Sequence, residues 1–86
     1  MVENRVAVVA IIVEDMNSAA GVNAILHEFG EYIIGRMGIP YKAKNISIIS
    51  IAIDAPQNKI SALAGSIGNL NGVSVKTAFS SVVTYE

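Results

Sequence analysis

The chain has one histidine, His27, and no cysteine. A transition-metal site draws three or four ligands from nitrogen, sulfur and carboxylate donors, so one imidazole without thiolates is a poor start. Glu28 and Glu31 are near His27 in sequence but are not expected to share its helix face, Glu28 being about 100° around the helix and Glu31 beyond the expected C-cap. His27 falls about 140° around a helix from Val22, away from the apolar stripe. It reads as a solvated or interface histidine, and neither a metal nor a cofactor is expected. Serines are numerous, but no nucleophile–base pair is visible. No catalytic residue is assigned, and the chain reads as a non-enzyme.

Binding chemistry has more candidates. Asp15, Met16 and Asn17 lie where a strand meets a helix, and a helix N-terminus offers free N–H groups to an anion. Glu14 and Asp15 would repel a carboxylate or phosphate, so plain helix capping is the simpler role. Ser61, Gly65 and Gly68 form a small-residue flank on a second helix. Each glycine there costs about 1 kcal/mol relative to alanine. That cost predicts close approach by the other helix, a second subunit or a ligand. Asp15, Met16, Asn17, Gly65 and Gly68 are therefore the candidate ligand-binding residues. Arg36, Lys42 and Lys44 cluster around one strand and its turn. With only Tyr32 and Tyr41 beside them, they fall short of an RNA-binding surface.

These residues must be positioned by a small fold. Eighty-six residues predict one domain over 1–86. The apolar share is 52% and the charged share only 15%. That is more greasy surface than a chain this short can hide, since it buries only roughly 60–65% of its unfolded surface. Partners are the expected remedy. The longest apolar run, "VAVVAIIV" from Val6 to Val13, is far short of the ~20 residues that span a bilayer. "EDMN" follows it where a signal peptide would need a cleavage site. The expected location is cytoplasmic, with no membrane partner. A net charge of −1 gives no footprint for direct nucleic-acid binding.

Along the chain, Arg5 to Val13 reads as a buried strand. Asp15 or Asn17 would cap a helix whose stripe is Val22, Ile25, Leu26 and Phe29. Gly30 is the expected left-handed C-cap. Tyr32 to Ile39 predicts an edge strand, stopped by Pro40. "YKAKN" turns the chain into Ile46 to Ile53. Asn58 is the expected cap of a second helix, with stripe Ile60, Leu63, Ala64, Ile67 and Leu70, and Gly72 its C-cap. Val73 to Phe79 is the last strand, with Val82 to Tyr85 as an extension.

The order β-α-β-β-α-β predicts an α+β, ferredoxin-like fold: a four-stranded antiparallel sheet with both helices on one face. Its central strands, the first and third, are apolar on both faces. The helices cover one face and nothing is left for the other. A second copy or a protein partner packed sheet to sheet would cover it. Val9, Ile11, Ile49, Ile51 and Ile53 are the expected interface residues of a dimer or tetramer, although the sequence leaves open which face meets the helices. The acylphosphatases share this topology, yet "EDMNS" has neither the glycine nor the arginine their phosphate loop needs.

"ISALAGSIGNLNGVSVKT", Ile60 to Thr77, resembles the helix-to-strand segment of ACT and ACT-like regulatory domains. Together with "IIVEDMN", "LHEFGEYIIGRMGIP" and "ENR", it resembles the small family of regulators of the iron-only hydrogenase system. The resemblance covers nearly the whole chain. It implies an ACT-like fold, similar to the C-terminal domain of the nickel-responsive repressor, and a regulatory role linked to hydrogenase maturation. In ACT domains the loop matching Asp15–Asn17 holds an amino acid at a subunit interface, so a small-molecule effector is implied. The repressor's nickel site needs several histidines and a cysteine and does not transfer. No counterpart of its DNA-binding segment is expected, since the first strand is predicted to begin at Arg5. The reading is a non-enzymatic, oligomeric regulatory domain; the alternative is a protein-interaction or assembly subunit without a ligand.

Overall fold

A computed structural model of the chain describes residues 3–85. Strand β1 covers Glu3–Val13, and a 3-10 turn at Met16–Ser18 leads into helix α1, Ala19–Glu28. Another 3-10 turn, Gly30–Tyr32, precedes β2, Ile33–Tyr41. A third, Lys42–Lys44, closes on left-handed Asn45 and opens β3, Ile46–Pro56. Helix α2 is Gln57–Gly68 and β4 is Val73–Tyr85. The sheet order is β2-β3-β1-β4, with every neighbouring pair antiparallel. This is the expected ferredoxin-like arrangement.

The period of two along β1 and β3 decides which residues form the core. Ala7, Val9, Ile11 and Val13 alternate with residues of the other face, and β3 repeats the pattern with Ile49, Ile51, Ile53 and Ala55. All eight are buried against Val22 and Leu26 of α1 and Ile60, Leu63 and Ile67 of α2. The two helical stripes are thus spent on one sheet face.

This packing corrects the expected interface. Val9, Ile11, Ile51 and Ile53 are 0% exposed and Ile49 is 8% exposed, beneath the helices. They are core, so a partner on the sheet must meet the other face. There, three rows cross the sheet: Gly35, Ala52, Val8 and Ala78; Met37, Ser50, Ala10 and Lys76; Ile39, Ile48, Ile12 and Ser74. Lys76 is the one charge in these rows.

Local details also differ from expectation. Gly30 is not left-handed; α1 ends at Phe29 and the chain continues as a 3-10 turn. β2 runs through Pro40 to Tyr41, which an edge strand permits because proline lacks only the outward N–H. A bulge at Ile34 shifts its register. Pro56, not Asn58, is the N-cap of α2. α2 stops at Gly68, and Gly72 takes its positive φ in the turn before β4. Among the described residues, no helix is long and apolar enough to cross a membrane.

Candidate functional site

The β1–α1 loop is tied to the α2–β4 turn. Asp15 Oδ1 accepts from the Asn17 backbone N–H at 3.0 Å, and the Ser18 backbone N–H donates to the Asp15 carbonyl at 2.9 Å. Ser18 Oγ donates to the Asn71 carbonyl at 2.6 Å, and the Glu14 N–H to the Gly72 carbonyl at 2.6 Å. Four donors of this loop, the Glu14, Asn17 and Ser18 N–H groups and Ser18 Oγ, are therefore used inside the protein. Asp15 caps the 3-10 turn, and the Asn17 N–H is the donor it caps. Met16, 43% exposed, and Asn17 both reach solvent, while Asp15 is half-buried.

Gly65 and Gly68 are exposed, with open space where a Cβ would stand. Within this chain nothing approaches them, which corrects the expectation of close contact with the other helix. The residue that Asp15 meets is Gly72. The five candidate ligand residues are thus not gathered into one cavity.

Three concavities exist, one of them a shallow hollow of about 340 Å³ on the open sheet face beside Val8, Met37 and Ala52, with Arg36 at its edge. Another, about 430 Å³, is lined by Asn4, Glu31, Tyr32, Ile33, Ile34 and Asp54. The third, about 270 Å³, is a groove between α1 and the edge strand β2. Its floor is Val13, Val22 and Ile49, all buried. Arg36 stands in its wall, and Arg36 Nη2 donates to Asn23 Oδ1 on α1 at 3.1 Å. Lys42 and Lys44 lie in the following 3-10 turn, exposed, and do not line the groove. His27 is exposed on α1. Among the described residues, no three His, Cys, Asp or Glu side chains gather as metal ligands.

The open sheet face carries several of the large exposed apolar side chains. Val8 is 46% exposed, Met37 55%, Ile39 47% and Tyr41 47%. Sequence reasoning expected an uncovered sheet face but placed it on the wrong residues. The missed signal lies in "RMGIPY": Arg36, Gly38 and Pro40 alternate with Met37, Ile39 and Tyr41, an edge strand with a sparse side and a greasy side. Asn23 gave no signal in sequence, since an exposed helical asparagine is unremarkable until a strand residue 13 positions away bonds to it.

Comparison with known proteins agrees with this architecture. The model of the TM1266-like family, "Iron-only hydrogenase system regulator, putative", matches residues 5–77. The solved structure of the uncharacterized protein TM1266 from Thermotoga maritima superposes with a TM-score of 0.85 at 34% identity, covering 88% of this chain and 96% of that one. A formyltetrahydrofolate deformylase from Pseudomonas putida KT2440 matches at TM-score 0.61 and 13% identity, over 85% of this chain and 28% of that one. CPII from Thiomonas intermedia K12, solved with ADP, AMP and acetate, matches at 0.55 and 13%, over 100% and 94%. The last two share the fold alone. No curated protein matches the chain.

Proposed function

The chain belongs to the TM1266-like family, and on that premise we propose that it is a non-enzymatic regulatory protein of the iron-only hydrogenase system. It works as a homo-oligomer, a dimer or tetramer, and responds to a small-molecule effector. It contacts neither DNA nor membrane directly. One observation carries this reading. The sheet face opposite the helices presents Val8, Ile12, Ile48, Met37 and Ile39 in adjoining rows, with Lys76 as the only charge among them. A contiguous apolar surface of this kind marks an interaction site. A second copy supplies a matching surface through a two-fold axis, as in most soluble oligomers.

Sedimentation velocity at micromolar concentration tests it. The wild-type chain is expected as a dimer or tetramer. Met37→Glu, on the open face and away from the core, is expected to give folded monomers with an unchanged helical circular dichroism spectrum. A wild-type monomer at that concentration overturns the reading. If that monomer instead co-purifies from its own cell with a hydrogenase-maturation protein, the face is the docking site of an assembly subunit.

A further inference from the structure

We propose that the groove between α1 and β2 binds a small carboxylate with a short branched apolar tail, its head held by Arg36 and Asn23. This deepens the reading above by naming the effector's chemistry, and rests on it only in taking the chain to be ligand-responsive.

The groove exists because of what β2 lacks. Arg36, Gly38 and Pro40 pair with Ile51, Ile49 and Ser47, so they face α1. Gly38 has no side chain and Pro40 a compact one, so the strand leaves space below the helix. A Cβ on Gly38 would meet nothing within 4 Å. The space remains open over about 270 Å³, above a floor of Val13, Val22 and Ile49. That floor is hydrocarbon, and it favours an apolar group that displaces water from it.

The wall supplies the head-group chemistry. A guanidinium has five N–H donors in a rigid planar fork that matches a carboxylate bidentately. Arg36 uses Nη2 on Asn23 Oδ1. The rest of the fork is left to donate. The same bond fixes the Asn23 amide, because its oxygen must face the guanidinium. Its NH₂ group is then free to donate to the same ligand. No Asp or Glu lines the groove, so the positive charge has no internal competitor there. The Arg36–Asn23 bond joins the strand to the helix and holds both donors in place before a ligand arrives, which lowers the ordering cost of binding.

Size restricts the class further. The groove lies just under the ~300–1,000 Å³ usual for ligand pockets, which suits a small ligand. One guanidinium suits one carboxylate better than a polyphosphate.

The probe is 3-methylbutanoate, with the isosteric neutral 3-methylbutanamide as control, titrated to ~10 mM into the ¹⁵N-labelled full chain and followed by amide chemical shifts. Expected is saturable binding with shifts centred on Val22, Asn23, Arg36, Gly38 and Ile49. The amide should bind at least about tenfold more weakly, and Arg36→Gln should weaken the carboxylate by a similar factor, since a charged hydrogen bond is lost. Gly38→Val fills the groove while leaving Arg36 intact, and should also abolish binding. Absence of saturation, equal binding of acid and amide, or binding unaffected by both variants overturns the proposal. Sedimentation of the same samples reads the assembly separately. An oligomer that ignores the acid sinks only the ligand class, and a monomer that binds it sinks only the oligomer.

Discussion

Gly72 and Asp15 approach so closely that a Cβ on Gly72 would stand 2.6 Å from Asp15 Cβ and 2.9 Å from its backbone nitrogen. Gly72 has φ +66°, and its carbonyl accepts the Glu14 N–H at 2.6 Å. One residue earlier, the Asn71 carbonyl accepts Ser18 Oγ. The two loops that follow β1 and α2 are thereby fastened together at one end of the sheet. The glycine is required twice: by its backbone conformation and by the space it leaves.

Gly72→Ala is therefore expected to destabilise the fold by about 2–5 kcal/mol. The left-handed conformation accounts for ~1–2 kcal/mol of that, and the clash with Asp15 backbone for another ~1–3 kcal/mol. Urea unfolding monitored by circular dichroism measures it. A loss below ~1 kcal/mol would mean that the loop relaxes freely.

Gly65→Ala should act in the opposite direction. Gly65 lies inside α2, exposed, with nothing within 4 Å of a Cβ. Alanine restricts the unfolded chain and favours the helix, so stability should rise by about 0.5–1 kcal/mol. A decrease in the same urea experiment would show that a subunit or ligand occupies the space beside α2.

The contrast between these glycines shows what the sequence could convey. Periodicity located both helices and all four strands, because alternating and three-to-four spacing reflect burial directly. It placed the stripes of Val22 and Leu26, and of Ile60, Leu63 and Ile67, in the core. It could not choose between the two faces of β1 and β3. Both are apolar, and the helices decide the matter through tertiary packing. Nor could it tell a glycine that is pressed by a neighbour, Gly72, from one that faces open space, Gly65. That difference depends on which loop returns to which. The groove beneath α1 was illegible for the same reason, as Arg36 and Asn23 meet only when β2 is laid beside the helix.

The two faces are distinguished by a pair of substitutions. Ile51→Ala removes a side chain that is 0% exposed beneath the helices. It should cost about 2–5 kcal/mol through lost transfer energy and a cavity. Met37→Ser, on the open face, should change the stability of the isolated subunit by less than ~0.5 kcal/mol. Its expected effect is weaker association, read by sedimentation across a dilution series. Equal losses of subunit stability from both would mean that the faces are not distinct in the way described.

Arg5 provides a test of competing polar terms. β4 bulges here: Ala7 pairs with Phe79 but Arg5 pairs with Val83. Arg5 Nη2 donates to the Ser80 carbonyl inside the bulge at 2.9 Å, and its guanidinium lies 5.2 Å from the Phe79 ring centroid. Its Nε is buried with no hydrogen-bond partner among the described residues. Replacing Arg5 by methionine loses a charged hydrogen bond, worth ~1.5–3 kcal/mol, and a cation–π contact worth ~0.5–1 kcal/mol. It also removes the unsatisfied Nε, a relief of ~1–3 kcal/mol. The terms nearly offset, and methionine keeps the apolar stem over Phe79. Arg5→Met should thus cost only about 1 kcal/mol. Arg5→Ala relieves the same Nε but also loses the stem, and should cost about 1–2 kcal/mol more. Urea unfolding of the two variants side by side is the measurement. If methionine costs as much as alanine, the hydrogen bond to Ser80, rather than packing on Phe79, holds the bulge in place.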